Sequence, residues 1–280
     1  KYSQHGLYIG QIRKYMSYCS AVRSGDIAAP AFQSMELKNV SFGYVPGKTV
    51  LNNISMKINR GEKIAIVGYN GAGKSTLINL LLHLYNPEQG EILYNGKSIE
   101  EFDSASIHSR IGVVLQDYRI FALPLSENVL RDKFEESDES RIRYALENAC
   151  FESKLQTLPD GICSEMTKEF YKDGVNLSGG ESQKVAISRI FASPFDVIIM
   201  DEPSAALDPK AEHDLSINLA KHSKEKTVII ISHRLSTTCA MDKIYMFDGG
   251  KIIEEGSHSE LMEAGGKYAQ IFNMQAEKYQ

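Results

Sequence analysis

Ile64-Ala-Ile-Val-Gly-Tyr-Asn-Gly-Ala-Gly-Lys-Ser-Thr76 is the stretch around which the rest of the chain can be read. An apolar run reads as a buried strand, a glycine-rich turn follows, and Leu77 to Leu84 reads as a helix. Gly68, Gly73, Lys74 and Ser75 meet the spacing G-x-x-x-x-G-K-S/T, with a further glycine at Gly71. Glycines let such a loop fold until successive backbone N–H groups converge on phosphate oxygens, with the positive end of the next helix behind them. Lys74 then reaches the β- and γ-phosphates, and the Ser75 hydroxyl takes a Mg²⁺ coordination site. Gly68, Asn70, Gly71, Ala72, Gly73, Lys74, Ser75 and Thr76 are the candidate phosphate-binding residues. From average residue frequencies, a chance match at any one position is on the order of 1 in 10⁴ to 10⁵.

Working outward, 280 residues are enough for one large or two modest domains with a sizeable core. A hydrophobic fraction of 42% and a charged fraction of 24% are those of an ordinary soluble globular protein. The net charge of −5 disfavours a nucleic-acid partner held by bulk electrostatics. Cys19, Cys150, Cys163 and Cys239 are scattered, with no C-x-x-C pair, which argues against zinc or a disulfide framework and for a reducing setting. No apolar run approaches the ~20 residues that cross a bilayer. The chain opens on Lys1 rather than Met and reads as a piece of something longer.

Tyr8, Ile12, Tyr15, Met16 and Cys19 form a helical stripe, and Arg23 to Phe32 reads as a linker, so a domain boundary is expected near Gln33. Strands are expected at Met35–Phe42 and Ser55–Ile58, at Glu91–Tyr94 and at Ile111–Leu115, the last followed by Gln116. From about Ser126 to Phe151 the pattern turns helical and reads as an insertion, and a helix is expected over Glu181–Ala192. Val197–Met200 is a buried strand ending at Asp201-Glu202, and Thr227–Ile231 another that leads to His233. Further strands are expected at Lys243–Phe247 and Lys251–Glu254, with Leu261–Tyr279 as a helical tail. Buried strands alternating with helices imply an α/β fold with a mostly parallel sheet.

Asp201 and Glu202 end an apolar strand, where open parallel sheets place their ligands. With a phosphate loop upstream, Asp201 suits Mg²⁺ and Glu202 suits the base or positioner of an attacking water.

Leu177-Ser-Gly-Gly-Glu181, between these two motifs, resembles the signature of the ATP-binding cassette (ABC) superfamily. The family's other motifs follow in order: Tyr44 is similar to its adenine-stacking aromatic, Gly68 to Thr76 to its Walker A loop, and Gln116 to its Q-loop glutamine. Phe195 to Glu202 resembles its Walker B strand, Ser204 to Asp208 its D-loop, and His233 its switch histidine. The resemblance covers roughly Gln33 to Gln280 and is strongest to exporter-type cassettes, in which membrane helices precede this domain in one polypeptide. It implies a P-loop NTPase fold with a mostly parallel core sheet, an antiparallel β subdomain and a helical subdomain at about 117–176. Residues 1–32 would couple it to a transmembrane domain.

The resemblance further implies ATP and Mg²⁺ as cofactors, with Ser75, Gln116 and Asp201 on the metal. Glu202, His233, Lys74 and Gln116 would carry hydrolysis. Ser178, Gly179, Gly180 and Glu181 would meet a nucleotide held by a second ABC ATPase domain, at the cytoplasmic face of the membrane, and no nucleic acid. Ser178 to Gly180 precede a helix, so their N–H groups suit an anion that one copy alone would not supply. Asp208 would line the interface of the two copies, although it reads equally well as a helix N-cap before Pro209. One departure stands out: the family's commonest fifth signature residue is Gln, and Glu181 would add a negative charge near triphosphate. A soluble ABC ATPase acting on nucleic acid and an importer subunit are the rival readings. The first is disfavoured by the acidic balance and the lack of tandem cassettes, the second by the segment before Gln33.

Overall fold

The computed structural model describes residues 22–203, 209–232 and 235–277. The helix expected within residues 2–19 lies outside them, as do Ser204 to Asp208 and His233.

The strands make two sheets. β1 (Ser34–Phe42) and β2 (Leu51–Asn59) form an antiparallel hairpin, joined by β4 (Gln89–Tyr94) and the short β5 (Lys97–Ser98) in the order β2-β1-β4-β5. The other sheet contains β3 (Lys63–Gly68), β6 (Ile111–Val114), β7 (Val197–Asp201), β8 (Thr227–Ile231) and β9 (Lys243–Asp248), all parallel. β10 (Lys251–Gly256) closes one edge antiparallel to β9, giving the order β10-β9-β3-β8-β7-β6. The fold is therefore α/β, with a mostly parallel core sheet and a separate antiparallel one.

The parallel strands are apolar on both faces because both faces are covered. In β7, Val197 and Ile199 enter the core shared with the antiparallel sheet, and Ile198 and Met200 enter the core beneath the helices. β3 alternates likewise, with Ile64 and Ile66 on the first core and Ala65 and Val67 on a third beside Leu261 and Tyr268. The named β3 and β7 side chains are at most 3% exposed, and burying each Val, Ile or Met among them is worth about 1.5–3 kcal/mol. Ala29 and Phe32, in the stretch that reads as a linker, are packed into the first core, and Phe32 N–H donates to Asp196 Oδ2 at 3.1 Å.

Among the described residues the α-helices are α1 (Lys74–Leu81), α2 (Ser104–His108), α3 (Leu125–Leu130), α4 (Glu139–Asn148), α5 (Glu152–Leu155), α6 (Gly179–Phe191), α7 (Pro209–His222), α8 (His258–Ala264) and α9 (Lys267–Glu277). The helical stretch expected over 126–151 is thus two helices. α3 stops at Arg131, whose φ of 62° is left-handed and whose guanidinium lies 5.3 Å over the Phe195 ring. A ring contact across 64 positions supplies what a periodicity reading lacks. The expected C-terminal helix is likewise broken, at Gly265, which caps α8 with φ 64°.

Candidate active site

β3 and β7 flank β8, so the loop after β3 and the end of β7 lie over one edge of the sheet. Gly68 carries φ 149°, and a Cβ built there would stand 2.3 Å from the Phe247 carbonyl oxygen, so only glycine lets the chain leave β3 in this direction. Gly73, the N-cap of α1, is left-handed with φ 99°. The turn sets the first residues of α1 against a cavity of about 450 Å³ lined by Val50, Asn70, Gly71, Gly73, Lys74, Ser75, Thr76, Gln116, Asp201 and Glu202. Residues far apart in sequence are brought together here, and they carry hydroxyl, amide, carboxylate and ammonium groups.

Lys74 is 7% exposed, with Nζ donating to the Gly68 and Tyr69 carbonyls at 2.9 Å each. Burial lowers its pKa from the ordinary 10.5, opposed by the charges of Asp201 and Glu202. Ser75 Oγ donates to Asp201 Oδ2 at 3.3 Å. A hydroxyl facing a carboxylate, with the Gln116 amide on the same cavity, is a hard oxygen donor set that fits Mg²⁺, which takes one or two carboxylates and completes its shell with phosphate and water. Among the described residues there is no group of three or more His, Cys, Asp or Glu of the kind that would cage a metal by protein ligands alone.

Glu202 follows β7 with φ 51°, a left-handed conformation held by its N–H donating to Ile231 O at 3.0 Å. Strain of this kind on a non-glycine residue costs about 1–3 kcal/mol and collects at functional positions. Tyr44 lies beside the loop: its hydroxyl donates to Thr76 Oγ1 at 3.3 Å and accepts from Asn79 Nδ2 at 3.0 Å. Its ring meets Phe42 and Tyr85 edge-on and is about half exposed.

Ser178, Gly179, Gly180 and Glu181 do not line this cavity. They form the N-terminus of α6, where Ser178 Oγ accepts from Glu181 N–H at 3.3 Å and Glu181 Oε2 accepts from Ser178 N–H at 2.8 Å, a capping box. Gly68 and Ala72 shape the loop without lining the cavity. His233 and Asp208 fall outside the described residues.

Contacts that no motif reading supplies tie α6 to the segment after Gln116, to the end of β7 and to α5. Tyr118 O–H, two residues past Gln116, donates to Gly179 O at 2.9 Å. Burial pushes the Tyr118 phenol further above its ordinary 10. Gln183 Nε2 donates to Glu202 O at 3.4 Å. Arg189 donates to Arg119 O at 2.8 Å and Asn128 O at 2.9 Å, and burial, then the neighbouring Arg131 charge, lower its pKa to about 10. Lys154 Nζ pairs with Glu181 Oε1 at 3.2 Å. Their only sequence signal is proximity to a motif, and Lys154 lacks even that.

The family model described as ABC transporter matches residues 51–205. A putative multidrug export ATP-binding/permease protein, YgaD of Bacillus subtilis (strain 168), is 36% identical over 242 residues, covering 86% of this chain and 41% of that protein. An ATP-dependent lipid A-core flippase of Alcanivorax borkumensis is 34% identical over 248 residues, covering 89% of this chain and 42% of the flippase. A solved structure of a bacterial Atm1-family ABC exporter with ATP bound superposes with a TM-score of 0.85 at 32% identity, over 98% of this chain and 48% of that one. The chain spans about two fifths of the length of the curated relatives it matches. With the phosphate loop, the Asp201-Glu202 strand end and the signature turn on one α/β frame, the chain belongs to the ABC transporter family, as that family's ATP-binding ATPase domain.

Proposed function

We propose that this chain is the motor of an ABC exporter, binding two ATP molecules between two head-to-tail copies and hydrolysing them to drive a substrate across a membrane. The observation that carries it is the separation of two anion-binding elements: Lys74, Ser75, Gln116, Asp201 and Glu202 share one cavity, and the Ser178–Glu181 turn is outside it. A turn that presents N–H groups at a helix N-terminus gains most from an anion brought by another subunit. Two such sites related by a two-fold axis make a closed, isologous dimer.

In this reading the backbone amides of the loop and Lys74 hold the β- and γ-phosphates, and Tyr44 stacks on the adenine. Ser75, Asp201 and Gln116 would hold Mg²⁺, which would neutralise phosphate charge when bound. Glu202 orients a water and takes its proton, with His233 on the γ-phosphate. Asp208 lines the interface between the copies. ATP favours the closed pair because its γ-phosphate contacts both copies, and hydrolysis removes that preference. The helical segment over 117–176 meets the transmembrane domain, residues 1–32 lead out of it, and the motor works at the cytoplasmic face. The exporter and flippase names of the relatives support this direction of transport.

Glu202→Gln tests the reading. The variant should bind ATP and form an ATP-dependent dimer in sedimentation, with phosphate release slowed by about 10²–10⁴-fold. Unchanged turnover would remove Glu202 from the chemistry, and a monomer at saturating ATP would remove the two-copy clamp.

A further inference from the structure

We propose that Lys154 is a positioning residue for the signature turn, its ammonium fixing and neutralising the Glu181 carboxylate so that the turn meets a partner's triphosphate without a loose negative charge. The inference rests on the two-copy reading above and assigns a role to a residue outside every motif.

Both carboxylate oxygens of Glu181 are engaged: Oε2 accepts from the Ser178 amide at 2.8 Å, and Oε1 faces Lys154 Nζ at 3.2 Å. The glutamine expected at this position would make the first contact with its amide oxygen but leaves nothing for a lysine to neutralise. With glutamate, the N-terminus of α6 carries a full negative charge beside the N–H groups of Gly179 and Gly180, where an incoming anion would be repelled. Lys154 cancels that charge locally and draws the carboxylate towards the helical segment, on the side of α5.

The pair is more than two solvated side chains that happen to meet. The two are only 28% and 29% exposed. Lys154 projects from α5, whose first turn is built on Phe151: Lys154 and Leu155 donate their N–H groups to Phe151 O at 3.1 and 3.0 Å, and the Phe151 ring is fully buried in the core beneath the helices. A cation mounted on a fixed turn loses less freedom in pairing than one on a mobile loop. Glu181 is held from its own side by the capping box, so its geometry is set from two directions.

A double-mutant cycle on this chain tests the assignment, with ATPase kinetics, thermal melting and ATP-dependent sedimentation in the Glu202→Gln background as readouts. Lys154→Met should raise the KM for ATP about fivefold, the upper end of what a partly exposed ion pair is worth, with a much smaller change in kcat. In a Glu181→Gln background the same Lys154→Met exchange should move KM less than about twofold, because no charge remains to neutralise. Melting temperatures should not follow this order. If Lys154→Met leaves KM unaltered, or raises it equally in both backgrounds, Lys154 acts through packing or not at all and the assignment falls. If the Glu202→Gln chain makes no ATP-dependent dimer, the two-copy reading fails first, and the cycle reports only on a helix cap.

Discussion

Ser75 Oγ donates a hydrogen bond to Asp201 Oδ2 over 3.3 Å, tying the first turn of α1 to the end of β7. The two lie on opposite sides of the helical insertion in sequence and are joined because β3 and β7 flank the same strand, β8. A hydroxyl and a carboxylate at this separation pre-form a hard oxygen site, so nucleotide affinity here should depend on a divalent cation. Asp201→Asn should lower the affinity for a fluorescent ATP analogue in Mg²⁺ by about tenfold, and chelation should then change little further. A titration in Mg²⁺ and in EDTA reads both, independent of turnover.

Glu202 lines the cavity from a left-handed backbone, with φ 51°. Replacing it with glycine removes both strain and carboxylate. Glu202→Gly should abolish hydrolysis while raising the thermal midpoint by about 2–4 °C, the equivalent of roughly 1 kcal/mol in a chain of this size. Differential scanning calorimetry alongside phosphate release would separate this from general damage, which lowers both.

Tyr118→Phe deletes one oxygen, the donor to Gly179 O, and keeps the ring. The lost hydrogen bond is worth about 1 kcal/mol. ATP binding to the monomer should be unaffected, because Tyr118 does not line the cavity. Turnover should fall roughly fivefold, because the signature turn loses its tie to the Gln116 segment. Equilibrium binding and steady-state kinetics on the same preparation distinguish the two.

The Glu181 carboxyl gives a pH dependence with a definite sign. Burial raises its pKa, but the Ser178 amide and hydroxyl and Lys154 outweigh it and hold it below the ordinary 4.5. The unfolded carboxyl therefore binds its proton at higher pH than the folded one. The stabilisation is complete above 4.5 and is lost as pH falls through the lower, folded value. Glu181→Gln, which cannot titrate, should lose melting temperature less steeply as pH falls below 4.5. Parallel slopes would show that the capping box contributes nothing to acid sensitivity.

What could be read from the chain alone follows from how local its causes are. Gly68 to Thr76 is legible because a phosphate loop needs glycine, lysine and a hydroxyl within a few residues. The strands β3, β7 and β8 are legible because a strand covered on both faces is apolar throughout. The division of 126–151 into two helices was not legible, since Arg131 ends α3 through a ring at Phe195 that only the folded chain brings near.

The sequence by itself determined that this chain holds phosphate, because the chemistry sits in contiguous residues whose backbone must turn as glycine allows. It also determined the order of the motifs, and with it the family. Only the tertiary structure decided that the strands divide into two sheets, that the signature turn stays out of the cavity of its own chain, and that Glu181 faces Lys154. These are pairings between segments far apart in sequence. Their free energy comes from burial and charge complementarity across the assembled core, and no local propensity encodes it.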